Sequence, residues 1–227
     1  MNMRKIALIV LMAGVLSQAF SQSVRKELLF DDGWKFCRGD IKNAEKPAFN
    51  DKTWREVDVP HDWSIERLPG QKTGEVVGPF SKESVGTTAT GYTVGGTAWY
   101  RKTFVLSPDE KYDRTLISFD GVYMNAEVWV NGKQVGTHPY GYTAFYFDIT
   151  RFLNAPGKQN TIAVKVRNEG KNSRWYSGSG IYRHVWLIQK QSVCIAHNGI
   201  SVTTENVGEN GNATIKVTST IDQPASK

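Results

Sequence analysis

The chain has 227 residues, 11% of them aromatic, with 28 basic against 22 acidic residues and a net charge of +6. The basic residues are scattered, and a pair such as Arg101-Lys102 is too short for the basic stripe that nucleic-acid binding needs. The spacing of Cys37 and Cys194 matches no metal motif. Composition therefore argues against a nucleic-acid partner, and we assign no metal site and no cofactor. Two unpaired thiols are favoured over the alternative, a disulfide between Cys37 and Cys194.

The chain begins with the features of an export signal. Arg4-Lys5 precedes the apolar run 6–16, IALIVLMAGVL, and Ala19-Phe20-Ser21 follows with small residues at its first and third positions. A charged start, an apolar core of about 7–15 residues and a small-residue cleavage site are typical of a secretory signal peptide. The run is shorter than the roughly 20 residues of a membrane helix, which makes an N-terminal anchor the weaker alternative. We predict that residues 1–21 are a signal peptide and that the protein is exported, to the periplasm or outside the cell, with no membrane span after cleavage.

Strand patterns fill most of the remaining chain. The segment TIAVKV (161–166) alternates β-branched residues with Ala and Lys, which is the period of a half-buried strand. Asn131-Gly132 lies between strand formers and is a strong hairpin signal, because both turn positions need positive φ. Further strands are predicted at 98–106, 115–120, 143–149 and 182–188. No segment sustains a helical apolar period, so we predict an all-β fold in which two antiparallel sheets pack as a sandwich or jelly roll.

One long segment interrupts this rhythm. Residues 66–96 contain seven glycines, two prolines and no convincing strand. Loops longer than about 12–15 residues inside a compact domain are usually functional or disordered. The flanks of this loop are aromatic and strand-like, so a functional role is favoured over disorder.

The last part of the chain starts a second unit. Residues 200–221 have the alternation of a hairpin around Gly208–Gly211, and only 38 residues follow Gln189. An immunoglobulin-like sandwich needs about 7 strands and about 100 residues. We therefore predict a first domain at 22–190 and an incomplete immunoglobulin-like domain at 191–227.

The segment NSRWYSGSGIYRHVW (172–186) is the strongest candidate for ligand binding. Sugars present apolar faces to aromatic rings and hydroxyls to planar polar groups, and Arg174, Trp175 and Tyr176 offer both chemistries in consecutive positions. The alternative is that the two aromatics belong to the core and that Arg174 is a solvated charge.

Six segments together resemble the N-terminal domain of glycoside hydrolase family 2, and most closely its β-galactosidase type. They are DDGWKF (31–36), VDVPHDWSIE (57–66), GGTAWYRKTF (95–104), FDGVYMNAEVWVNGKQVG (119–136), HPYGYTAFYFDIT (138–150) and NSRWYSGSGIYRHVWL (172–187). The resemblance covers about residues 28–190 in family order. Ala144 departs from the family pattern, which has proline at that position in a turn.

The resemblance implies a jelly-roll, galactose-binding-like sugar-binding domain, then an immunoglobulin-like domain and a (β/α)8 barrel that carries the chemistry. Such enzymes hydrolyse β-glycosides with retention, using two carboxyl groups about 5–5.5 Å apart. A barrel takes roughly 250 residues, so we expect both catalytic glutamates to lie beyond Lys227. No catalytic residue is assigned in this chain, and Asp62, Glu66 and Glu169 are given no acid/base role.

The resemblance also implies three substrate-binding residues. In related enzymes the loop before GIYR extends over the opening of the barrel and helps to hold the terminal sugar. By analogy, Arg174 would donate to sugar hydroxyls and Trp175 would pack nearby. Asp62 is the third candidate. The alternative for Asp62 is a turn-fixing role beside His61. Trp63 is expected in the core, and SGSGIYR is expected to be structural.

Two further classes of function compete with this interpretation. We expect the sugar-binding portion of a retaining β-galactosidase-like enzyme of carbohydrate metabolism, with a catalytic barrel and a β-galactoside or related oligosaccharide as its partners. The alternatives are a free-standing secreted carbohydrate-binding module and a β-sandwich interaction domain without sugar affinity. The incomplete second domain favours the first hypothesis, because an independent module should end at its own boundary.

Overall fold

The predicted all-β fold is confirmed by a computed structural model, which describes residues 23–66, 80–82, 84, 86–170, 177–208 and 211–223. Three short 3₁₀ helices occur in these ranges, at Trp63–Ile65, Thr87–Thr90 and Thr150–Phe152. The strands in the same ranges are β1 (Arg25–Leu29), β2 (Trp34–Arg38), β3 (Arg55–Val57), β4 (Gly96–Val105), β5 (Arg114–Phe119), β6 (Ala126–Val130), β7 (Lys133–His138), β8 (Phe145–Asp148), β9 (Gln159–Asn168), β10 (Val185–Lys190), β11 (Cys194–Glu205) and β12 (Thr214–Asp222).

Two antiparallel sheets form the sandwich. The larger has the order β3-β2-β4-β9-β6-β7 and the smaller has the order β1-β10-β5-β8. Because successive strand residues point to opposite faces, one face of each sheet supplies the core between them. The alternation predicted for 161–166 is confirmed, since Ile162, Val164 and Val166 all lie in this core.

The hairpin predicted at Asn131-Gly132 joins β6 to β7. Asn131 has φ 51° and Gly132 has φ 78°, as a two-residue turn with positive φ at both positions requires. The side-chain nitrogen of Asn131, Nδ2, donates to Phe152 O at 2.9 Å and to Asn160 Oδ1 at 2.8 Å. The turn is therefore tied to two other segments as well as to its own strands.

The outer face of the larger sheet is covered by the segment between β2 and β3. Ala44 and Trp54 of this segment pack against Trp99 and Ala163 of the sheet. Arg101, only 1% exposed, binds this segment through Asp51 Oδ2 at 2.8 Å and through the carbonyl oxygens of Ala44 and Lys46. This sheet is thus buried on both faces along its centre.

The strand predicted at 182–188 is wrong over its first three residues, because β10 begins at Val185. Tyr182 donates its hydroxyl to Gly141 O at 2.7 Å, and His184 Nδ1 lies 2.6 Å from Asp31 Oδ2. These side-chain contacts with distant loops replace the ladder that local alternation suggested. Both cysteines are free, and burial raises the pKa of the Cys37 thiol.

The hairpin predicted at 200–221 is confirmed by β11 and β12, which form a separate two-stranded sheet. Several of its apolar side chains are exposed, including the cross-strand pair Val202 and Val217. Asp222 Oδ2 accepts from Lys190 Nζ and lies 3.3 Å from Arg114 Nη1, which ties the hairpin to the sandwich. The domain division at 190 stays a prediction. None of the helices in the described ranges is long and apolar enough to cross a membrane.

Replacing Asp222 with asparagine is expected to reduce the acid sensitivity of folding. The hydrogen bond from Lys190, with the charges of Lys190 and Arg114, lowers the pKa of Asp222 despite some burial. A depressed pKa stabilises the fold above the unfolded value of about 3.9 and loses that contribution as pH falls through the folded value. In thermal melts from pH 7 to 3, the melting temperature should therefore fall less steeply with decreasing pH in Asp222→Asn than in the wild type. The control is Glu205→Gln, on the same hairpin, where Glu205 lies 3.7 Å from Lys216 in an exposed pair. The same pH dependence of the melting temperature in wild type and Asp222→Asn would contradict this role.

Candidate functional site

Two connecting segments lie side by side at one rim of the sandwich. His61 N donates to Ile181 O at 2.8 Å, and Trp63 N donates to Ser179 O at 2.9 Å. The first segment follows β3 and the second precedes β10. This pairing fixes the SGSGI sequence against the PHDW sequence.

The carboxylate of Asp62 fixes both segments. Its Oδ1 accepts hydrogen bonds from Ser64 N at 2.8 Å, from Ser64 Oγ at 2.6 Å and from Ser179 N at 2.8 Å. Asp62 is also the N-cap of the 3₁₀ helix Trp63–Ile65. A Cβ at Gly178 would lie 2.5 Å from Asp62 Oδ2, so the chain passes directly over the carboxylate. These contacts support the turn-fixing role for Asp62, and its sugar contact stays a prediction.

Replacing Asp62 with alanine is expected to destabilise the domain, whereas Asp62→Asn should be much milder. Alanine leaves three donors without their acceptor, and hydrogen bonds to a charged group contribute about 1.5–3 kcal/mol each but are not additive. We expect a loss of about 2–4 kcal/mol in urea unfolding. Asparagine keeps an oxygen in the same place and is the matched control. Equal stability of Asp62→Ala and wild type would show that the carboxylate does not hold the rim together.

Gly180 occupies the closest approach between the two segments. Its φ is +137°, a region that L side chains rarely adopt, and a Cβ there would overlap His61 O and the Tyr100 hydroxyl. Its backbone also pairs with Tyr123 in both directions, each hydrogen bond being 2.9 Å. The sequence SGSGIYR thus has the structural role that was expected of it.

Asn168, the last residue of β9, holds the same segment from the other side. Its side-chain nitrogen, Nδ2, donates to Ser179 Oγ at 2.7 Å and to Gly178 O at 3.2 Å. The next residue, Glu169, accepts from Thr97 Oγ1. The chain is therefore held firmly just before residue 171 and just after residue 176. Arg174 and Trp175 fall between these points, in 171–176, and lie outside the described residues.

Trp63 and His61 lie beneath the two paired segments of the rim. Trp63 is fully buried, as predicted, and its Nε1 donates to Gly95 O at 3.1 Å. His61 Nδ1 lies 2.7 Å from the Tyr100 hydroxyl, and Nε2 lies 2.9 Å from Glu66 Oε1. Burial raises the pKa of Tyr100 well above its ordinary value, so this phenol stays protonated.

Glu66 is held as an anion beside His61. Burial opposes its ionisation, but hydrogen bonds from Arg55 and His61 outweigh burial and lower the pKa of Glu66. The Arg55 Nη2 to Glu66 Oε1 distance is 2.5 Å. A carboxyl with a lowered pKa is a poor proton donor near neutral pH. Within the described ranges, no group of three or more His, Cys, Asp or Glu side chains could hold a metal ion.

Sequence reasoning missed Tyr100 and Asn168 as supports of the site. The strand alternation of 98–106 could have placed Tyr100 on the inner face with Ala98. Asn168 stands at the end of a strongly alternating strand, where a polar side chain has backbone groups to satisfy. Neither signal identifies the partner in the 178–180 segment.

Comparison with known proteins gives a consistent result. Residues 30–191 match the family model for the glycosyl hydrolases family 2, sugar binding domain. Among curated proteins, the chain is 42% identical over 197 residues to Beta-galactosidase BoGH2A of Bacteroides ovatus, covering 86% of this chain and 22% of that protein. It is 37% identical over 201 residues to a putative beta-glucuronidase of Formosa agariphila, covering 88% and 18%. The chain thus spans about a fifth of the length of these relatives.

Solved structures agree with the sequence comparisons. A glycosyl hydrolase family 2 member from Bacteroides cellulosilyticus superposes with a TM-score of 0.73 at 39% identity, covering 86% of this chain and 28% of that chain. A beta-glycosidase from Bacteroides vulgatus gives a TM-score of 0.74 at 36% identity, covering 89% and 25%. Both similarities extend over nearly the whole described structure.

Proposed function

Because the chain belongs to glycoside hydrolase family 2 and carries its sugar-binding domain, we propose that it binds the terminal sugar of a β-galactoside. The sugar would lie at the rim around Asp62, beside a catalytic barrel. The residues proposed to contact the sugar are Arg174, Trp175 and Asp62. The observation that supports this most is the Asp62 clamp, in which one carboxylate fixes Ser64 and Ser179 together. This clamp holds the 177–181 segment, which follows Arg174 and Trp175 closely in the sequence, against the segment of Asp62.

The chemistry of these three side chains suits a sugar. The guanidinium of Arg174 would supply several donors in one plane to neighbouring hydroxyls. Trp175 would cover an apolar face of the ring, and the second oxygen of Asp62, Oδ2, would accept from a hydroxyl, because Oδ1 already has three donors. The relatives named above are a β-galactosidase and a putative β-glucuronidase, so the two sugars to compare are galactose and glucuronic acid.

The hydrolysis itself is proposed to require a barrel that this chain does not include. Retaining hydrolysis needs one carboxyl as acid/base and another as nucleophile, about 5–5.5 Å apart. In the rim, Asp62 Oδ1 already has three donors and Glu66 is stabilised as an anion. The role proposed for this domain is therefore to bind and orient substrate.

The proposal is tested by comparing the chain alone with the same chain joined to a family barrel. We expect no turnover of 4-nitrophenyl β-galactoside by the purified chain, and turnover by the joined protein. 4-Nitrophenyl β-glucuronide is the comparison substrate. Activity of the chain alone, abolished by a substitution within it, would contradict the division of roles; submillimolar galactose binding by the chain alone would favour a free-standing module.

Export is proposed on the sequence of residues 1–21. If the signal is cleaved after Ser21, mass spectrometry of protein from its native cell should give a mature N-terminus near Gln22. The recovered fraction should be periplasmic or extracellular. An intact chain starting at Met1 in the cytoplasm would rule out this localisation.

A further inference from the structure

A pocket lies on the outer face of the smaller sheet, away from the rim. Its volume is about 560 Å³, which falls within the usual range of ligand pockets. Neither Asp62 nor any residue of the 177–181 segment lines it. The side chains that line it include Arg25, Asp120, Tyr146, Trp186, His197 and Asn198.

The register of the sheet places two aromatic side chains in one row across this face. Trp186 of β10 is opposite Ser118 of β5, and Ser118 is opposite Tyr146 of β8. Ser118 is small, lies between these two residues in the register and also lines the pocket. Tyr146 is 45% exposed although it faces a pocket, so its ring is available for contact. Trp186 Nε1 donates to Asp120 Oδ2 at 3.0 Å, which fixes the indole and the carboxylate together.

A bulge in β11 forms the opposite wall. The pairing with β12 shifts between Ile195 and Ile200, where four residues of β11 face one residue of β12. Bulges redirect side chains and are frequent beside binding sites. Asn198, with φ 58°, and His197 are the bulge residues that line the pocket. The His197 ring lies edge-on to Tyr146, with centroids 4.6 Å apart.

The charges around the pocket are nearly balanced. Arg25 Nη2 lies 2.9 Å from His197 Nδ1, and Arg25 also pairs with Glu27. Asp120 supplies one more negative charge, and burial followed by the nearby Arg25 charge lowers the pKa of His197, which favours its neutral form. A lining with two carboxylates and one guanidinium does not attract an anion. It offers instead acceptors and donors for hydroxyl groups beside two aromatic rings.

We propose that this pocket is a second carbohydrate site, which binds one neutral hexose unit of a glycan independently of the Asp62 rim. Tyr146 and Trp186 contact the apolar face of the sugar. Asp120 accepts from a hydroxyl, while Arg25 and Asn198 donate to ring or hydroxyl oxygens. Such a site would keep the domain on a polysaccharide while a different sugar unit occupies the rim.

The test is a titration of the ¹⁵N-labelled chain with methyl β-galactoside, methyl β-glucoside and glucuronate, followed by amide chemical shifts. At least one neutral glycoside is expected to shift the amides of residues 118–120, 144–146, 186 and 197–198 in a saturable manner, with a Kd of about 1–10 mM. Glucuronate should bind more weakly. Because the readout is binding at these amides, it does not depend on the rim or on a barrel.

Two substitutions decide the assignment. Tyr146→Ala should weaken binding about 2- to 10-fold, the range given by loss of one aromatic contact. Asp120→Asn should weaken it by a similar factor without unfolding the domain, as a thermal melt will check. Tyr140→Ala, at a tyrosine that is 56% exposed and outside the pocket, is the matched control and should bind as wild type. The proposal is overturned if no neutral glycoside shifts these amides at about 100 mM, if Tyr146→Ala binds unchanged, or if glucuronate binds best.

Discussion

Replacing Arg174 with alanine is expected to lower turnover of β-galactosides about 10- to 150-fold when this domain is joined to a family barrel, because a hydrogen bond to a charged group contributes about 1.5–3 kcal/mol. The loss should appear in kcat/KM for 4-nitrophenyl β-galactoside. If Arg174 contacts the sugar and not the fold, its removal should hardly change folding, since such substitutions usually alter stability by less than about 0.5 kcal/mol. Alone, the chain should bind galactose with a Kd in the millimolar range or weaker, because one edge of a site cannot bury a sugar.

The control for this substitution is Arg151→Ala, which removes an exposed arginine from the 3₁₀ helix Thr150–Phe152. It should leave kcat/KM unchanged. Unaltered kinetics in Arg174→Ala would make that residue a bystander. A cooperative loss of stability would instead identify it as a structural residue that supports the SGSGIYR turn.

Replacing Gly180 with alanine is expected to cost about 3–5 kcal/mol of folding stability, the sum of backbone strain and of overpacking. The added Cβ would overlap a backbone oxygen, His61 O, which cannot move as a flexible side chain can. For a domain of this size the melting temperature should fall by roughly 6–20 °C. Calorimetry of the variant is the direct measurement.

Gly157→Ala separates the two contributions. Gly157 also has a positive φ, +78°, but a Cβ there would meet nothing within 4 Å. The free energy of unfolding of Gly157→Ala should therefore fall only by the contribution of backbone conformation, about 1 kcal/mol. If both variants lose the same stability, crowding at the rim is unimportant and Gly180 is needed for its φ alone.

Local chemistry made much of the fold predictable. The alternation of 161–166 identified β9, and Asn131-Gly132 identified the β6–β7 turn, because period and turn preference are properties of neighbouring residues. The same reasoning failed at 182–184. There Tyr182 and His184 bind Gly141 and Asp31, and nothing nearby in sequence indicates these partners.

The candidate site was less predictable for the same physical reason. Asp62 could be selected from the PHDW sequence, but its partner Ser179 is 117 residues away. The pocket on the smaller sheet was not foreseen at all, because its lining comes from β1, β5, β8, β10, the residues that adjoin β5 and β8, and the bulge of β11. Each of these residues alone looks like an ordinary member of a sheet surface.

The two-sided burial of the larger sheet has a consequence for the order in which the molecule opens. Adjacent residues of β4 and β9 are buried on opposite faces, with Trp99 at 3% and Tyr100 at 0% exposure, and Ala163 at 1% and Val164 at 0%. Amide hydrogens in such strands exchange with solvent only when the whole domain unfolds. In the β11–β12 hairpin, Val202 and Val217 are both more than 60% exposed, so we expect its amides to exchange through small local openings. Hydrogen exchange should therefore be faster in the described strands of the β11–β12 hairpin than in β4 and β9, and opening of the hairpin should leave the rim at Gly180 unchanged.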